Sequence, residues 1–434
     1  MSILQAPRGT ADVLPSQSSK WRYIERVFHE TAAVFGFREI RFPTFEYTEL
    51  FSRGVGETTD VVQKEMYTFE DRGGRSITLR PEGTASTVRA LLQDGLHNEP
   101  MPLRLYYLIS CFRGEKPQAG RLREFHQFGV ELFGAASPAA DVEAISLAAT
   151  VFDRLGVSGL RLEINSIGCA DCRKAYHEAL RAYFSAHSAE LCETCRSRLE
   201  HNPMRILDCK SPVCADIAKG APAVLDYICD DCRSHFEKVK ALLGSLGIAF
   251  TVNPKIVRGL DYYTRTVFEF TDPVLGLTAC GGGRYDGLVE QLGGPALPAL
   301  GFGMGVERLM MLMEARGCAF PEESGIEVYF APLGEAASLK ATSIVSKFRA
   351  EGIAAECDLT GRSAKAQMKY ADKLGAAFTV VLGENELVEG TAVLKNMKTG
   401  ELLRIALDDA IIDTVGAALK RTAIDSLTAA AEKL

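Results

Sequence analysis

The sequence predicts an α+β domain, in which an antiparallel sheet is flanked by helices, followed by a smaller α/β domain. Strand patterns follow one another through most of residues 1–325, which favours antiparallel pairing. Between residues 169 and 248 the pattern changes to helices and paired cysteines, which indicates a helical, cysteine-rich insertion. In residues 326–434, short apolar runs alternate with long helical stretches, which is typical of buried, parallel strands.

Two features open the first domain. Apolar residues at helical spacing from Trp21 to Phe35, after a polar serine cluster, predict an amphipathic helix. The alternating segment that follows, residues 39–47, is interrupted by Pro43. Proline cannot donate to a sheet ladder, so this segment is predicted to be an edge or interface strand.

The other strands follow from alternation and turn signals. The first of these segments is predicted to be a strand that ends in a turn. The second and third are predicted to form a long hairpin around a polar loop, and the last is predicted to be a glycine-rich strand that runs into a helix. These predicted segments are residues 75–84, 104–115, 123–134, 264–272 and 299–315. Residues 321–325 are a predicted linker, and the parallel strands beyond it are predicted at residues 326–334 and 376–383.

The composition is that of an ordinary globular protein. The chain has 434 residues, of which 47% are hydrophobic and 24% charged, and its length suits two or three domains. No apolar run approaches the length that spans a bilayer, and the N-terminus lacks a secretory signal, so we expect a cytoplasmic protein. The net charge of -7 argues against general nucleic-acid binding but leaves room for a local basic surface.

Four arginines are candidates for binding phosphate, namely Arg113, Arg121, Arg258 and Arg308. The planar guanidinium makes bidentate contacts with phosphate and stays charged at any working pH. Four such groups converging on one site would suit a triphosphate. Taken singly, each is better explained as a solvated surface charge.

The glycine-rich turn at residues 301–308 has two interpretations. It fails the dinucleotide pattern, because Val306 stands where the third glycine belongs, and it lacks the lysine of a P-loop. Glycines let the backbone approach a flat ring or another strand closely. The sequence leaves nucleotide binding and tight packing as alternatives.

Two carboxylates are candidate ligand-binding groups. Glu82 lies in a turn after a strand, and Glu131 lies within an apolar strand. Gln127, Gly129 and Glu131 share one face at a period of two, so a small polar ligand on that face would meet both polar side chains. The alternative is a glutamate that faces solvent.

A basic stripe is predicted in the second domain. Lys365, Lys369 and Lys373 repeat every four residues and therefore line one face of a helix, with Arg362 just before it. Such a stripe is either a solubilising face or a set of phosphate contacts.

Eight cysteines are concentrated in the insertion. Three CxxC pairs and one looser pair are formed by Cys169, Cys172, Cys192, Cys195, Cys209, Cys214, Cys229 and Cys232. Without an export signal these are reduced thiols or metal ligands and not a disulfide framework.

Several segments together resemble the histidyl-tRNA synthetases, a family of class II aminoacyl-tRNA synthetases. The similar segments, in the family's order, are residues 8–15, 39–46, 78–84, 111–115, 121–134, 257–269 and 299–309. Residues 257–266 (VRGLDYYTRT) carry the most specific match, because they mark the histidine enzymes within class II. The resemblance covers nearly the whole chain and implies a catalytic domain, a C-terminal anticodon-binding domain and a homodimer.

The resemblance implies a role for each matched position. In the ATP site, Arg113 would contact the α-phosphate, Glu115 the adenine edge, and Arg121 and Arg308 the outer phosphates. Arg258 would lie near the reacting phosphate and the histidine carboxylate. Mg²⁺ would be held mainly through the phosphates of ATP.

The resemblance also assigns the amino-acid and tRNA sites. Residues 82–84 (Glu82, Gly83 and Thr84) would hold the amino end of histidine, and its pocket would consist of Gln127, Glu131, Tyr262 and Tyr263. The loop that contains Gln118 would approach the acceptor end of the tRNA, and the basic stripe with Arg362 would contact it near the anticodon. The family's chemistry does not require zinc, so we expect thiols without a metal; structural zinc is the alternative.

Three other functions compete with an active histidyl-tRNA synthetase. A noncatalytic regulatory subunit of histidine biosynthesis usually lacks the anticodon-binding domain and several site residues, which are present here. A synthetase for glycine, threonine or proline would lack residues 257–266 in this form. An RNA-binding module would leave the four arginines unexplained.

Overall fold

The computed structural model describes residues 3–56, 59–256, 258–321 and 325–431. The chain divides into two units, Met1–Pro321 and Glu322–Leu434. Of the predicted linker, residues 322–324 lie outside the described part of the chain. No described helix is both long and apolar enough to cross a membrane.

The secondary structure alternates short strands with helices of up to 21 residues. The helices are α1 (Pro15–Val34), α2 (Thr48–Val55), α3 (Thr84–Gln93), α4 (Pro138–Arg154), α5 (Ala170–Ser185), α6 (Glu193–His201), α7 (Pro212–Ile217), α8 (Asp230–Ser245), α9 (Leu288–Gln291), α10 (Val306–Ala315), α11 (Glu335–Ala350), α12 (Ala364–Lys373), α13 (Glu384–Glu389) and α14 (Ile411–Ala431). The strands are β1 (Arg38–Glu39), β2 (Phe45–Tyr47), β3 (Tyr67–Glu70), β4 (Ser76–Leu79), β5 (Leu103–Phe112), β6 (Glu124–Phe133), β7 (Arg161–Ser166), β8 (Thr251–Val252), β9 (Thr264–Asp272), β10 (Leu277–Arg284), β11 (Ala299–Gly305), β12 (Val328–Pro332), β13 (Ala355–Cys357), β14 (Phe378–Leu382), β15 (Thr391–Asn396) and β16 (Leu402–Ala406).

The first unit is built on an eight-stranded sheet with the order β1-β5-β6-β11-β10-β9-β7-β8. Its six central strands pair antiparallel, and only the short edge strands β1 and β8 pair parallel with their neighbours. The predicted hairpin is confirmed, because β5 and β6 pair antiparallel over ten positions. The predicted antiparallel sheet flanked by helices is therefore correct.

One face of this sheet is covered by helices. Apolar side chains of α1, α4, α8 and α10 pack there against aromatic residues of β6, β9 and β11. Phe28 of α1 stacks on Phe128 of β6 with 4.3 Å between ring centroids. Phe302 of β11 meets both Phe128 and Phe268 edge to face. This face of the sheet therefore holds the main core.

A buried ionic group joins the sheet to two of these helices. The Arg284 guanidinium at the end of β10 donates to both oxygens of Asp141 on α4, at distances of 2.7 to 3.1 Å. His235 of α8 lies 3.3 Å from the same carboxylate. Burial alone would raise the pKa of Asp141, but the His235 hydrogen bond and the Arg284 charge outweigh it and lower that pKa. Since all three are buried, each depends on the others for neutralisation.

The segment around Pro43 forms two edge strands instead of one. β1 lies at one edge of the large sheet, and β2 lies at one edge of a three-stranded sheet with the order β2-β4-β3. Pro43 stands between the two strands and needs no ladder partner. Four aromatic side chains of the small sheet are 37% to 55% exposed, namely Phe45, Tyr47, Tyr67 and Phe69.

Helices occupy the region between β7 and β8. They are α5 to α8, with short 3₁₀ turns at Pro203–Ile206, Ala218–Gly220 and Val224–Asp226. Apolar residues of this region, including Tyr176, Leu180 and Phe184, are buried together with the far side of the sheet.

The second unit has a mixed five-stranded sheet with the order β13-β12-β14-β15-β16. β12 pairs parallel with β13 and β14, so the predicted parallel pair is correct. β15 and β16, which the sequence analysis did not predict, add an antiparallel hairpin to this pair. Buried and exposed residues alternate along β15, which suits an antiparallel pair with one face in solvent.

Candidate active site

The uncovered face of the large sheet has a floor made largely of glycine. The strand register pairs Gly301 with Glu131, Gly303 with Gly129 and Gly305 with Gln127, so all six residues lie on one face. On the next strand, Gly281 and Gly283 pair with Gly303 and Gly301 and continue that face. A concave surface results, because the glycine positions contribute no side chains.

The functional side chains lie directly on these glycines. A methyl group on Gly301 would overlap the Glu131 carboxylate, and one on Gly303 would overlap the Gln127 amide. A methyl group on Gly281 would overlap the Arg258 guanidinium. Tight packing and nucleotide binding are therefore compatible interpretations of the glycine-rich turn. The polar side chains of a binding site fit against this turn only because its glycines carry no side chains.

Glu131 lies at the bottom of this surface and is fully buried. Its Oε1 accepts hydrogen bonds from Thr84 Oγ1 at 2.7 Å and Tyr107 Oη at 3.0 Å, and its Oε2 accepts one from Tyr285. Burial raises the pKa of Glu131 to about 8, although the three hydroxyls act in the opposite direction. A cationic or N–H-bearing ligand would restore the charged form, because it would supply the missing positive partner.

Glu82 is a second buried carboxylate close to Glu131. It accepts the backbone N–H groups of Thr84 at 2.7 Å and Ala85 at 2.9 Å, which are orphan donors at the start of α3. Burial raises the pKa of Glu82, and these two bonds oppose the shift. Gly83 lies against the Tyr107 ring, and a side chain there would displace it. The predicted segment 82–84 therefore lies against Glu131, to which Thr84 donates.

Three of the predicted arginines line one open cavity of about 700 Å³ with Glu115. Arg308 donates to the carbonyls of Gly120 at 2.7 Å and Thr278 at 2.9 Å. Burial and the charges of Arg121 and Arg113 lower the pKa of Arg308. This mutual repulsion would be relieved by a bound polyanion.

Arg113 and Arg121 are each oriented by a different contact. Arg113 donates to the carbonyl of Pro81 at 3.0 Å and lies 5.3 Å from the centre of the Phe125 ring. Arg121 pairs with Glu115 at 3.1 Å. Both contacts leave guanidinium donors directed into the cavity for a ligand.

Arg258 is the fourth arginine of the cavity. It pairs with Glu269 of β9 and lies 5.8 Å from the centre of the Tyr263 ring. Burial alone would lower the pKa of Arg258, but the Glu269 carboxylate raises it. Its Nε is buried and has no hydrogen-bond partner among the described residues. The two terminal nitrogens of the same guanidinium lie over Gly281.

The predicted tyrosines adjoin this arrangement. Tyr262 and Tyr263 are buried, with 4.7 Å between their ring centroids, and Tyr262 meets the Tyr285 ring edge to face at 5.5 Å. The sequence prediction omitted Tyr107 and Tyr285, which hold Glu131. It also omitted Glu269, which holds Arg258. No pattern of residue types in the sequence marks these three residues as partners of Glu131 and Arg258.

The region between β7 and β8 contributes part of the cavity wall. Arg198, Arg205, Asp208 and Lys210 line the cavity opposite the glycine floor. Arg198 pairs with Asp60 at 2.9 Å, and Arg205 pairs with Asp261 at 2.9 Å. The sequence prediction missed this wall, because the insertion was assigned no role.

Cysteine side chains in this region form two clusters of four. Cys169, Cys172, Cys229 and Cys232 form the first tetrad, and Cys192, Cys195, Cys209 and Cys214 form the second. Within each tetrad the sulfur atoms lie within 4.8 Å of one another. Cys192 and Cys209 of the second tetrad also line the arginine cavity.

The predicted tRNA contacts are exposed, with one exception. Gln118 lies in the turn of the β5–β6 hairpin, and the three lysines lie on the outer face of α12. Arg362 pairs with Asp358 at 2.6 Å and lies 4.2 Å from the centre of the Tyr370 ring. Arg362 therefore stabilises its own loop, whereas Lys365, Lys369 and Lys373 remain in solvent.

Two family models match the chain. The model described as histidyl-tRNA synthetase matches residues 9–309, which is more than half of the chain. The model described as an anticodon binding domain matches residues 327–413. The resemblance inferred from sequence motifs is thereby confirmed.

Similar proteins match over nearly their whole length. A histidine–tRNA ligase of Acetivibrio thermocellus is 54% identical over 411 residues, covering 94% of this chain and 99% of the relative. One of Caldicellulosiruptor bescii is 55% identical over 398 residues, covering 91% and 94%. The solved structure of apo histidyl-tRNA synthetase from S. aureus is 40% identical, covers 95% of this chain and 100% of its own, and has a TM-score of 0.82.

We expect Gly301→Ala to lower the free energy of unfolding of the first unit by ~1–3 kcal/mol. The added methyl group would overlap the Glu131 carboxylate and the Val130 carbonyl, so the pocket would have to shift. Trp21, the only tryptophan, lies on α1, so urea unfolding followed by its fluorescence reports on this unit.

The matched control for this variant is Gly305→Ala on the same strand. A methyl group there would meet only side-chain atoms of Arg308, at 3.7 to 3.9 Å. We expect the control to unfold at nearly the wild-type urea concentration. An equal loss in both variants would contradict the close packing argued for Gly301.

Proposed function

This chain belongs to the histidyl-tRNA synthetase family, and we propose that it activates L-histidine with ATP and transfers the histidyl group to its tRNA. One observation supports this most directly. Four arginines line a glycine-floored cavity, and the buried carboxylate of Glu131 lies on the same face of the sheet. The cavity suits a triphosphate, and the carboxylate suits a small polar side chain that can donate a hydrogen bond.

In the first step the substrate supplies its own nucleophile. A carboxylate oxygen of histidine forms a bond to the α-phosphorus of ATP, the bond from that phosphorus to the bridging oxygen breaks, and pyrophosphate leaves. The protein needs no serine or cysteine nucleophile. It supplies alignment and positive charge for the developing anion.

We assign the ATP contacts to the cavity arginines. Arg113 contacts the α-phosphate, Arg121 and Arg308 contact the outer phosphates, and Glu115 faces the adenine edge. Arg258 lies near the reacting phosphate and the histidine carboxylate. The buried, unpartnered Nε of Arg258 and the mutual repulsion of the other arginines support this assignment. Mg²⁺ would be held mainly through the phosphates and would supply further positive charge to the leaving group.

We assign the histidine pocket to the space above Glu131. Its carboxylate, with Gln127, faces the imidazole, while Tyr262 and Tyr263 enclose the ring. Residues 82–84 face the amino end. The raised pKa of Glu131 supports this assignment, because an imidazole N–H would add a donor that favours the charged form of the buried carboxylate. An analogue without ring nitrogens would forgo this added hydrogen bond, so the site rejects it without an editing domain.

In the second step the terminal ribose hydroxyl of the tRNA attacks the acyl carbon of the adenylate. A carbon–oxygen bond forms to the ribose, and AMP leaves with the bonding electron pair. We assign residues 1–325, with the insertion at 169–248, to catalysis and residues 326–434 to anticodon binding. We also propose that the enzyme acts in the cytoplasm, where its aminoacylated tRNA would be used.

A regulatory subunit without catalysis is the rival function. The second unit matches an anticodon binding domain, which supports an aminoacylating enzyme. The measurement that separates the two is ATP–pyrophosphate exchange with each of the twenty amino acids. Exchange with histidine alone supports the proposal, and a folded protein with no exchange contradicts it.

We expect Arg258→Lys to lower histidine-dependent exchange by ~10²–10³-fold, because lysine cannot reproduce the planar set of donors at the reacting phosphate. The matched control is Arg104→Lys, which alters a partly exposed pair with Glu143 outside the cavity. A surface pair contributes little, so exchange should stay within about twofold of wild type. A similar loss in both variants would contradict the role of Arg258.

We expect Lys369→Glu to raise the KM for tRNA in aminoacylation while leaving histidine-dependent exchange unchanged. The exposed stripe of Lys365, Lys369 and Lys373 supports a contact with phosphate, since charge reversal would replace attraction by repulsion. Lys340→Glu, on the exposed side of α11, is the control and should leave both reactions unchanged. An unchanged KM in Lys369→Glu would assign the stripe to solubility.

We further propose that the protein is a homodimer joined through the aromatic face of the three-stranded sheet. Exposed aromatic residues grouped on one face are typical of a protein interface. Phe69→Asp should therefore convert a species of twice the chain mass to one of single mass in light scattering. Val274→Asp is the control, because Val274 is 85% exposed and lies outside this face. A wild-type monomer would contradict the proposal.

A further inference from the structure

We propose that the chain binds two structural zinc ions, one in each cysteine tetrad. The inference reverses the expectation of thiols without metal. Its first part stands independently of the proposed function, since it depends only on where the eight sulfurs lie.

The first tetrad joins two helices that are far apart in sequence. Cys169 caps α5 and Cys172 lies in its first turn, while Cys229 caps α8 and Cys232 lies in its first turn. The sulfurs of all four residues converge, although about sixty residues separate the two pairs. Unliganded thiols offer no reason for this convergence, because a thiol is a weak donor and a weak acceptor.

The second tetrad is built in a similar way on shorter elements. Cys192 caps α6 and Cys195 lies in its first turn. Cys209 follows the 3₁₀ turn at Pro203–Ile206, and Cys214 lies in α7. Cys209 and Cys214 are spaced more loosely than a CxxC pair. They nevertheless complete a set of four sulfur donors with Cys192 and Cys195.

The spacing of the sulfurs fits a single tetrahedral ion. Cys169 and Cys172 have their sulfurs 3.5 Å apart, and those of Cys192 and Cys209 are 3.9 Å apart. Zinc about 2.3 Å from each of four tetrahedral sulfurs separates the sulfurs by about 3.8 Å. A disulfide requires about 2.05 Å, and all eight cysteines are free. An iron–sulfur cluster spreads its cysteines over several iron atoms, so their sulfurs stand farther apart than around one ion.

Backbone donors surround the sulfurs. The Cys229 N–H donates to Cys172 Sγ at 3.0 Å, and the Cys192 N–H donates to Cys214 Sγ at 3.3 Å. The Ser211 N–H faces Cys209 Sγ at 3.5 Å. Such donors stabilise anionic sulfur, and helix N-termini act in the same direction.

The charge balance of each site is simple. Four thiols lose four protons to solvent as one Zn²⁺ binds, which leaves a complex of charge −2. No electron is transferred, and no further reactant is needed. The N–H donors and helix ends offset this negative charge.

The second ion has a role in the arginine cavity, a part of the inference that rests on the proposed function. Cys192 and Cys209 line that cavity, and Lys210 follows Cys209 directly on the same wall. Zinc bound to Cys209 would therefore fix Lys210 opposite the glycine floor. The first tetrad contributes no residue to the cavity lining, so its ion should act on folding alone.

The direct test is the metal content of the whole protein, purified without a chelator and without a histidine tag. Elemental analysis by mass spectrometry should find two zinc ions per chain and no stoichiometric iron. Native mass spectrometry should show the same two ions, released together with loss of fold by a mercurial reagent. A folded wild-type protein without zinc, or with iron in its place, would overturn the proposal.

Single substitutions separate the two sites. Cys232→Ser and Cys209→Ser should each retain one zinc, whereas Cys318→Ser, outside both tetrads, should retain two. Cys209→Ser should also raise the KM for ATP in exchange by ~10-fold, and a Cys232→Ser protein that folds should not. Two zinc ions in either tetrad variant would contradict the ligand assignment. If these variants do not fold, the wild-type count still decides.

An unchanged KM in a folded Cys209→Ser protein that has lost one zinc would overturn the role of the second ion in the cavity and leave both metal sites standing. Absence of exchange in the wild type, with two zinc ions present, would count against the proposed function and not against the sites.

Discussion

The site depends on glycines that leave one face of β10 and β11 without side chains next to Gln127 and Glu131 of β6. On the covered face of the same strands, aromatic residues such as Phe128 and Phe302 fill the core with close packing. On the open face, Gly281, Gly301 and Gly303 leave a recess one side chain deep. Arg258, Gln127 and Glu131 can lie flat within that recess, and no other residue type at these glycines would admit them.

Much of this arrangement was predictable from local patterns. A period of two placed Gln127 and Glu131 on one face, and the two strands around the loop 116–120 formed the predicted hairpin. The resemblance to a known family implied a role for each of the four arginines. Tyr107, Tyr285 and Glu269 were not found in this way, because their contacts with Glu131 and Arg258 are made between side chains of different segments that meet only in the folded chain. The antiparallel pair β15 and β16 was missed because its alternation covers only five or six residues.

The cysteines show a different limit of sequence reasoning. The CxxC spacing shows that two thiols lie on one helical turn, but not which other pair they face. Here Cys169 and Cys172 meet Cys229 and Cys232, passing over the four cysteines between them. The two pairs meet at the first turns of α5 and α8, whereas the apolar residues of α5 and those of α8 belong to different core clusters. The sequence pattern of either helix alone therefore does not show that the two cysteine pairs meet.

Helix α8 belongs to two parts of the structure at once. Its first turn carries Cys229 and Cys232, while Phe236, Val239 and Leu243 are buried in the main core and His235 reaches the Asp141–Arg284 pair. Removing residues 169–248 as a module would therefore leave a hole in the core and a buried carboxylate with one partner fewer. A deletion in this region that spares the core must therefore end before the start of α8.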